Sequence, residues 1–351
     1  MQYRELPETE VQPVSAVGFG LWTVSTGWWG TYTDEEAVAL MRKARDYGIN
    51  LYDAADTYGN GRSEELLAKA FLDARDEIVI ATKVGYNFYD HGDGRKGQRE
   101  IPQDFSASFI RDAVDKALKR LKTDRIDILQ LHNIKLEQVA DQSLWDLMGD
   151  LKKEGKILAY GGALGPAIGW LKEGYDAVKK HKPHVMQHIY NLFEQYPGRD
   201  IMNASTETDP TRYLIRVTHS SGMLEGHYTE DTVFDENDHR RHRPKSWLIN
   251  GVKKVEKIRS IMECEGRTMG QAALQWLLTD NRIACCLPNI YNEEQIKEFA
   301  STTEVPTITE GELSQLAELW KTNFGVEEEP CNFKGTMTLG ELDSEKEAAL
   351  T

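Results

Sequence analysis

The stretch from Asn50 to Lys83 constrains the fold more tightly than any other part of the chain. It opens with a strand-like run, Asn50-Leu51-Tyr52-Asp53, and continues into a polar loop carrying Tyr58 and the turn formers Gly59, Asn60 and Gly61. Ser63 reads as a helix N-cap, with Glu64 and Glu65 in the first turn, where carboxylates suit the helix dipole. Leu66, Leu67, Ala70 and Phe71 recur at helical spacing, and Ile78-Val79-Ile80-Ala81-Thr82 reads as a second strand ending on Lys83. Parallel strands joined by a helix lie side by side, so Asp53, Lys83 and Tyr58 are expected to converge at one mouth.

The same alternation runs through the chain. Residues 2–12 read as a short hairpin or extended leader, and 16–20 as the first barrel strand. A loop with Trp22, Trp28 and Trp29 follows, and Thr33 with Asp34-Glu35-Glu36 starts a helix. Beyond Lys83, 84–105 is a long polar loop without periodicity, the kind of segment that in a compact domain is usually functional or mobile. A helix at 106–121 leads to a strand at 126–131 ending on His132. Helix 137–154 precedes strand 157–162, helix 167–180 precedes strand 185–189, and a helical segment at 199–208 precedes strand 213–217. Helices near 248–264 and 268–279 precede strand 283–287, with further helices from Asn292 and over 310–322. Eight alternations point to an α/β fold, a (β/α)8 TIM barrel with an N-terminal hairpin or leader and a C-terminal extension. Residues 1–325 read as one catalytic barrel domain, and 326–351 as an acidic tail, loosely ordered or packed over the barrel.

A net charge of −15 argues against general nucleic-acid binding and leaves anionic ligands in need of local basic groups. The N-terminal MQYRELPETEVQP lacks the apolar core of a signal peptide, and no apolar run approaches membrane-spanning length. Cys264, Cys285, Cys286 and Cys331 form no Cys-x-x-Cys pair, which favours a reducing cytoplasm without a structural disulfide or zinc site.

A Tyr hydroxyl is a poor acid near neutrality, with a reference pKa of about 10. A neighbouring ammonium favours the phenolate, and a carboxylate beside that ammonium keeps it in place and charged. Tyr58, Lys83 and Asp53 would together make a tuned proton donor, which is what an alkoxide needs when hydride adds to a carbonyl. The plainer reading of the trio is a surface Tyr beside an ion pair on a barrel rim.

GINLYDAADTYGNGRSEELLAKAF, IVIATKVG and DILQLHN follow one another in this chain, with GFGLW before them and MQHIYNLFEQ and LPNIYNEEQIKEF after. In that order they resemble the landmarks of the aldo-keto reductase superfamily, from about Ser15 to about Gly325. The resemblance implies the (β/α)8 barrel, NADPH or NADH as cofactor, and a four-residue site of Asp53, Tyr58, Lys83 and His132. It implies reversible reduction of an aldehyde or ketone to an alcohol, with Tyr58 as proton donor and His132 orienting the carbonyl. The alternative it leaves is a cofactor-binding regulatory subunit or idle barrel, like the potassium-channel β-subunits of the same superfamily.

The Gly-x-Gly-x-x-Gly string at 92–97 lies inside the long polar loop rather than in a tight strand-to-helix turn, so a Rossmann dinucleotide site is not expected. The resemblance instead implies an extended cofactor across the barrel mouth. Gln187 matches the residue that binds the nicotinamide amide, and Gly222 and Leu224 lie in the loop matching the pyrophosphate side. Pro288, Tyr291, Glu294 and Gln295 match the adenosine end, with Glu294 as an adenine contact. Four positions depart from the pattern. Ala163 and Leu164 stand where Ser-Asn usually bonds the nicotinamide amide. Arg216 stands where a Tyr usually stacks on the ring. Tyr291 replaces an Arg that often holds a 2′-phosphate. Trp22 matches a position lining the substrate pocket, and Trp28 and Trp29 share its rim loop, an aromatic wall suited to a sugar-derived or aromatic carbonyl. The run His239-Arg240-Arg241-His242-Arg243-Pro244-Lys245 reads either as a solvated basic loop or as an anchor for phosphates or an anionic substrate.

Overall fold

Successive strand residues face opposite sides, so period-two alternation in the short strands decides what lines the interior. The computed structural model describes residues 1–91, 101–236 and 238–340. It begins with an antiparallel hairpin of β1 (Tyr3–Arg4) and β2 (Val14–Ser15), Tyr3 opposite Ser15. Eight parallel strands follow, neighbours in sequence being neighbours in the sheet. They are β3 (Phe19–Gly20), β4 (Leu51–Asp53), β5 (Val79–Val84), β6 (Ile126–His132), β7 (Ile157–Ala163), β8 (Val185–Ile189), β9 (Arg212–Arg216) and β10 (Ile283–Leu287). Val17 bridges Cys286, and Gly18 N donates to Cys286 O at 2.8 Å, so the first and last strands meet in a nearly closed barrel.

Leu51, Val79, Ala81, Ile128, Ala159, Val185 and Leu214 fill the barrel, with Leu6, Val11 and Val14 of the hairpin segment packed against them. The alternate residues Tyr52, Ile80, Leu129, Leu131, Met186 and Ile215 belong to the layer between strands and helices. Continuing the inward set towards the C-terminal strand ends gives Asp53, Lys83, Gln130, His132, Gln187 and Arg216. The lower barrel is thus apolar and its mouth polar.

The helices are α1 (Trp22–Ser25), α2 (Asp34–Asp46), α3 (Arg62–Phe71), α4 (Phe88–His91), α5 (Ala107–Leu121), α6 (Leu136–Ala140), α7 (Gln142–Lys153), α8 (Leu171–His181), α9 (Gly198–Met202), α10 (Lys245–Met262), α11 (Met269–Leu278), α12 (Glu293–Ala300) and α13 (Glu310–Lys321). Thr33, Thr268 and Thr309 start their helices with capping boxes to Glu36, Gln271 and Glu312. Among the described residues no helix is long and apolar enough to cross a membrane.

The elements differ from the sequence reading at several points. Ser63 is not the cap of α3. Gly61 occupies that position with φ 96°, and Ser63 Oγ donates instead to Ala55 O at 2.8 Å, tying the helix to the Tyr58 loop. A Cβ at Gly61 would meet Arg120 Cδ at 2.7 Å. The helix expected over 137–154 is two, broken at Asp141, whose side chain caps α7 by accepting Ser143 N at 3.0 Å. Trp22 lies in one helical turn rather than in loop. The first barrel strand shrinks to Phe19–Gly20 with the single bridge at Val17. Part of the 84–105 loop is α4, and 92–100 lie outside the described residues.

Of the acidic tail, Glu328 pairs with Lys254 of α10, and the stretch from Lys334 to Leu339 runs against the start of α8. Trp170 N donates to Lys334 O (2.8 Å), Lys172 N to Thr336 O (3.0 Å), Thr336 N to the Glu173 carboxylate (3.1 Å), and Leu339 joins the core. Residues 341–351 lie outside the described residues.

Beneath the Tyr58 loop, Glu64 is fully buried, its Oε2 2.6 Å from Arg120 Nε and its Oε1 accepting from Thr82 Oγ1 at 2.6 Å. Removing one partner of a buried pair leaves an uncompensated charge and costs about 3–5 kcal/mol. Arg120→Met should lower stability by about that much in urea unfolding, and adding Glu64→Gln should restore most of it. Equal stability of Arg120→Met and wild type would show that the pair does not hold this helix.

Candidate active site

Asp53 ends β4, Lys83 is the penultimate residue of β5 and His132 ends β6. Strand register places Lys83 beside Gln130, His132 beside Ala163, and Ala163 beside Gln187. Lys83, 1% exposed, spends its three N–H donors on three acceptors. They are Asp53 Oδ2 at 2.6 Å, Ala54 O at 2.8 Å and Tyr58 Oη at 3.2 Å. Burial alone would push the ammonium down, but the charges of Asp53 and Tyr58 and the hydrogen bonds to both hold it above its ordinary 10.5. The other oxygen of Asp53 accepts from Gln130 Nε2 (3.2 Å) and Gln187 Nε2 (3.0 Å). Three strands therefore converge on one carboxylate.

The half-buried Tyr58 ring lies edge-on to His132 at 6.0 Å and to Trp22 at 5.1 Å. The four candidate residues thus meet at one place, bringing a hydroxyl, an imidazole, an ammonium and a carboxylate together. Tyr86, which sequence reasoning passed over, stands edge-on to His132 at 5.0 Å, and its hydroxyl accepts from Asn133 Nδ2 at 2.8 Å. Gln130 was also missed. Its signal was its place two residues before His132 on the same strand face.

The tryptophan loop and the basic loop pack together. Trp22 stacks near Trp28 (6.4 Å), His239 sits against Trp28 (5.8 Å) and Trp29 (6.5 Å), and Arg240 lies 4.5 Å over the Trp29 ring. The basic charges are countered locally. Arg240 is bidentate to Asp238 and donates to Tyr228 Oη at 2.5 Å, while Arg243 is 3.8 Å from Glu194 and donates to Ser221 Oγ at 3.1 Å. Among the described residues no three His, Cys, Asp or Glu side chains gather as a metal site.

Along the ends of β8, β9 and β10 runs a second set of groups. Gln187 is held by Asp53. Arg216 Nη2 donates to Leu164 O, and its Nε is sealed from solvent with no partner among the described residues. Past β9, Ser220, Ser221 and Gly222 all have positive φ, and a Cβ at Gly222 would meet Tyr228 Oη at 2.3 Å. Leu224 and Pro288 are buried, and the Leu224 side chain belongs to an apolar cluster, which leaves its backbone as its only polar contact. Gln295 links the two loops: its Oε1 accepts Tyr291 N at 3.0 Å and its Nε2 donates to Glu225 Oε2 at 3.0 Å. Tyr291 is half-buried, with its carbonyl accepting from Tyr32 Oη at 3.0 Å, and Glu294 is exposed in the first turn of α12. These groups fit an extended dinucleotide: a held amide and an orphaned guanidinium nitrogen at one end, a sharp backbone turn in the middle, and a Tyr–Gln pair at the other.

Glu225, unremarked in the sequence, is the unusual member. Burial pushes its carboxyl up to about 7. His219 Nδ1 lies 3.8 Å away, but burial lowers that imidazole to about 4, so it is neutral near pH 7 and does not pair as a cation.

A sequence profile described as the aldo/keto reductase family matches residues 16–321. The chain is 28% identical over 291 residues to the aldo-keto reductase YhdN of Bacillus subtilis, covering 79% of this chain and 81% of that protein. It is 25% identical over 321 residues to the L-glyceraldehyde 3-phosphate reductase of Escherichia coli, covering 85% and 89%. A glycerol dehydrogenase structure from Gluconobacter oxydans superposes with a TM-score of 0.78 at 23% identity, covering 95% of this chain and 99% of that one.

The Glu225 shift has a measurable sign. Its folded value lies above the ordinary 4.5, so the unfolded chain ionises first, and this group's stabilisation is full below about 4.5 and declines as pH rises to about 7. Glu225→Gln should flatten that decline by about 3 kcal/mol across the window, followed by urea unfolding at several pH values. Parallel stability curves for variant and wild type would contradict the assignment.

Proposed function

Since this chain belongs to the aldo/keto reductase family and is accordingly an NAD(P)H-dependent oxidoreductase, we propose that it reversibly reduces an aldehyde or ketone to an alcohol with Tyr58 as proton donor. The observation that carries this reading is the Lys83 ammonium, bonded at once to Asp53, Ala54 O and Tyr58 Oη. A bound reduced nicotinamide supplies the hydride. His132 orients the carbonyl oxygen towards Tyr58. Tyr58 gives its proton to the developing alkoxide, and Lys83 stabilises the phenolate left behind. Asp53 keeps Lys83 charged and in place. Gln187, oriented by Asp53, would hold the carboxamide, while Gly222, Leu224, Pro288, Tyr291, Glu294 and Gln295 would follow the rest of the cofactor. Trp22, against the Tyr58 ring, shields the reacting oxygen from water.

The substrate in this reading is a polar carbonyl compound, sugar-derived or aromatic, lying on the wall of Trp22, Trp28 and Trp29. The E. coli relative's name, a reductase of a small phosphorylated aldehyde, supports the polar class. The four free thiols, two of them exposed, fit a cytoplasmic setting. Residues 1–325 act as the catalytic barrel in this account, with 326–351 as its tail.

A carbonyl panel of aliphatic, aromatic, sugar and steroid compounds, run with both cofactors, tests the function. Wild type should favour sugar or aromatic carbonyls, and Tyr58→Phe should lose roughly 10²–10⁴ in kcat while its cofactor Kd stays nearly unchanged. Turnover by Tyr58→Phe near the wild-type rate would remove Tyr58 from the mechanism. Cofactor binding without turnover of any carbonyl by wild type would favour a regulatory subunit.

For cofactor choice, NADH should be used and NADPH should lack a large advantage. Tyr291 cannot pair with a 2′-phosphate as an Arg fork does, and the Glu225 carboxyl lies one hydrogen bond beyond, through Gln295. Fluorescence titration decides this: NADPH bound more than about tenfold tighter than NADH, about 1.4 kcal/mol, would overturn it.

A further inference from the structure

The proposed reaction gives Arg216 no task, although it places a full positive charge at the reacting centre. We propose that Arg216 is a specificity-determining residue for the redox state of the cofactor: its guanidinium makes the site hold reduced nicotinamide in preference to oxidised. This inference rests on the proposed function.

Arg216 ends β9 on the inward face, above Leu214. It leans across to the end of β7, where Nη2 donates to Leu164 O. The next residue is Gly165, at which a Cβ would stand 1.9 Å from Nη2, so a glycine makes the room the guanidinium occupies. Arg216 is half-buried, while its Nε is sealed and has no partner among the described residues. Asp53 cannot neutralise it, because that carboxylate is taken by Lys83, Gln130 and Gln187. No ion pair among the described residues includes Arg216. Tyr58, Asp53 and Tyr86 nevertheless lie within its electrostatic reach. Among the described residues, the strand ends at the mouth therefore place two cations, Lys83 and Arg216, beside the Asp53 carboxylate.

The chemistry fixes where the ring must be. A carbonyl oxygen that takes the Tyr58 proton lies within about 2.6–3.2 Å of that hydroxyl, and the carbon donating hydride within about 3–3.5 Å of the carbonyl carbon. The ring thus sits within a few ångströms of Tyr58, a group whose charge the Arg216 guanidinium feels from the end of β9. Reduced nicotinamide is neutral and the oxidised ring carries a positive charge. A guanidinium stays charged at neutral pH, so it repels only the oxidised form. Even with the partial solvent screening of an open mouth, like charges at this range separate the two affinities by ~10-fold or more. In carbonyl reduction the oxidised cofactor is the product, and its weaker hold eases its departure.

The test is fluorescence or calorimetric titration of the full chain with reduced cofactor, oxidised cofactor and ADP-ribose, in whichever 2′-phosphorylation series binds more tightly. Wild type should bind the reduced form ~10-fold or more tighter than the oxidised form, with the oxidised form no tighter than ADP-ribose. Arg216→Met and Arg216→Gln should shrink the reduced-to-oxidised ratio by ~10-fold, through tighter binding of the oxidised form, whereas Arg216→Lys should keep it. If the neutral variants do not fold, the wild-type comparison with ADP-ribose decides alone. Equal wild-type affinities for the two redox states, or an unchanged ratio in both neutral variants, would overturn the role of Arg216 while leaving the proposed function standing. Failure of wild type to bind either redox state would instead remove the proposed function, and this inference with it.

Discussion

The ion pair between Lys83 and Asp53 is the contact on which the mouth of this barrel depends. Both residues are buried, and placing two charges there costs several kcal/mol per ion unless every donor and lone pair is answered. Here they are answered by groups from different strands: Gln130 on β6 and Gln187 on β8 reach the same Asp53 oxygen, and Lys83 on β5 takes the other. That requirement couples the register of the strands to the chemistry above them. The third Lys83 bond, to Tyr58 Oη, then fixes a hydroxyl from a loop that the strands alone would leave mobile.

A second layer supports the first. The loop bearing Tyr58 is anchored by Ser63 to Ala55 O and underpinned by the buried Glu64–Arg120 pair. Against the Tyr58 ring, Trp22, Trp28 and the His239–Arg240 turn form one continuous run of ring contacts, part stacked and part edge-on. The electrostatics are divided accordingly. Lys83 and Arg216 place positive charge at the strand ends near Tyr58, and a reluctant carboxyl, Glu225, lies in the loop after β9 beside Gln295.

The barrel and the four meeting residues were legible because both follow from period. Each strand alternates, so an apolar residue such as Leu51 or Val79 places Asp53 or Lys83 on the same inward face two or four positions on. What escaped the sequence depends on contacts between distant segments. Ser63 carries every local mark of an N-cap, yet the left-handed Gly61 takes that position and frees the hydroxyl for the Ala55 carbonyl. Asp141 breaks a helix whose apolar spacing runs on through it. Glu225 stands in a glycine-flanked loop that the sequence could match to the pyrophosphate side, but its burial comes from the fold of that loop against Gln295 and His219.

The central claim is that a charged ammonium lies buried beneath Tyr58, held there by Asp53. Its direct test is the ¹⁵N resonance of Lys83 Nζ, assigned by its loss in Lys83→Met and followed through a pH titration. The account predicts an ammonium signal that persists past the ordinary lysine value of 10.5 and an earlier loss of charge in Asp53→Asn. A neutral amine at Lys83 near pH 7 in the wild-type protein would contradict it.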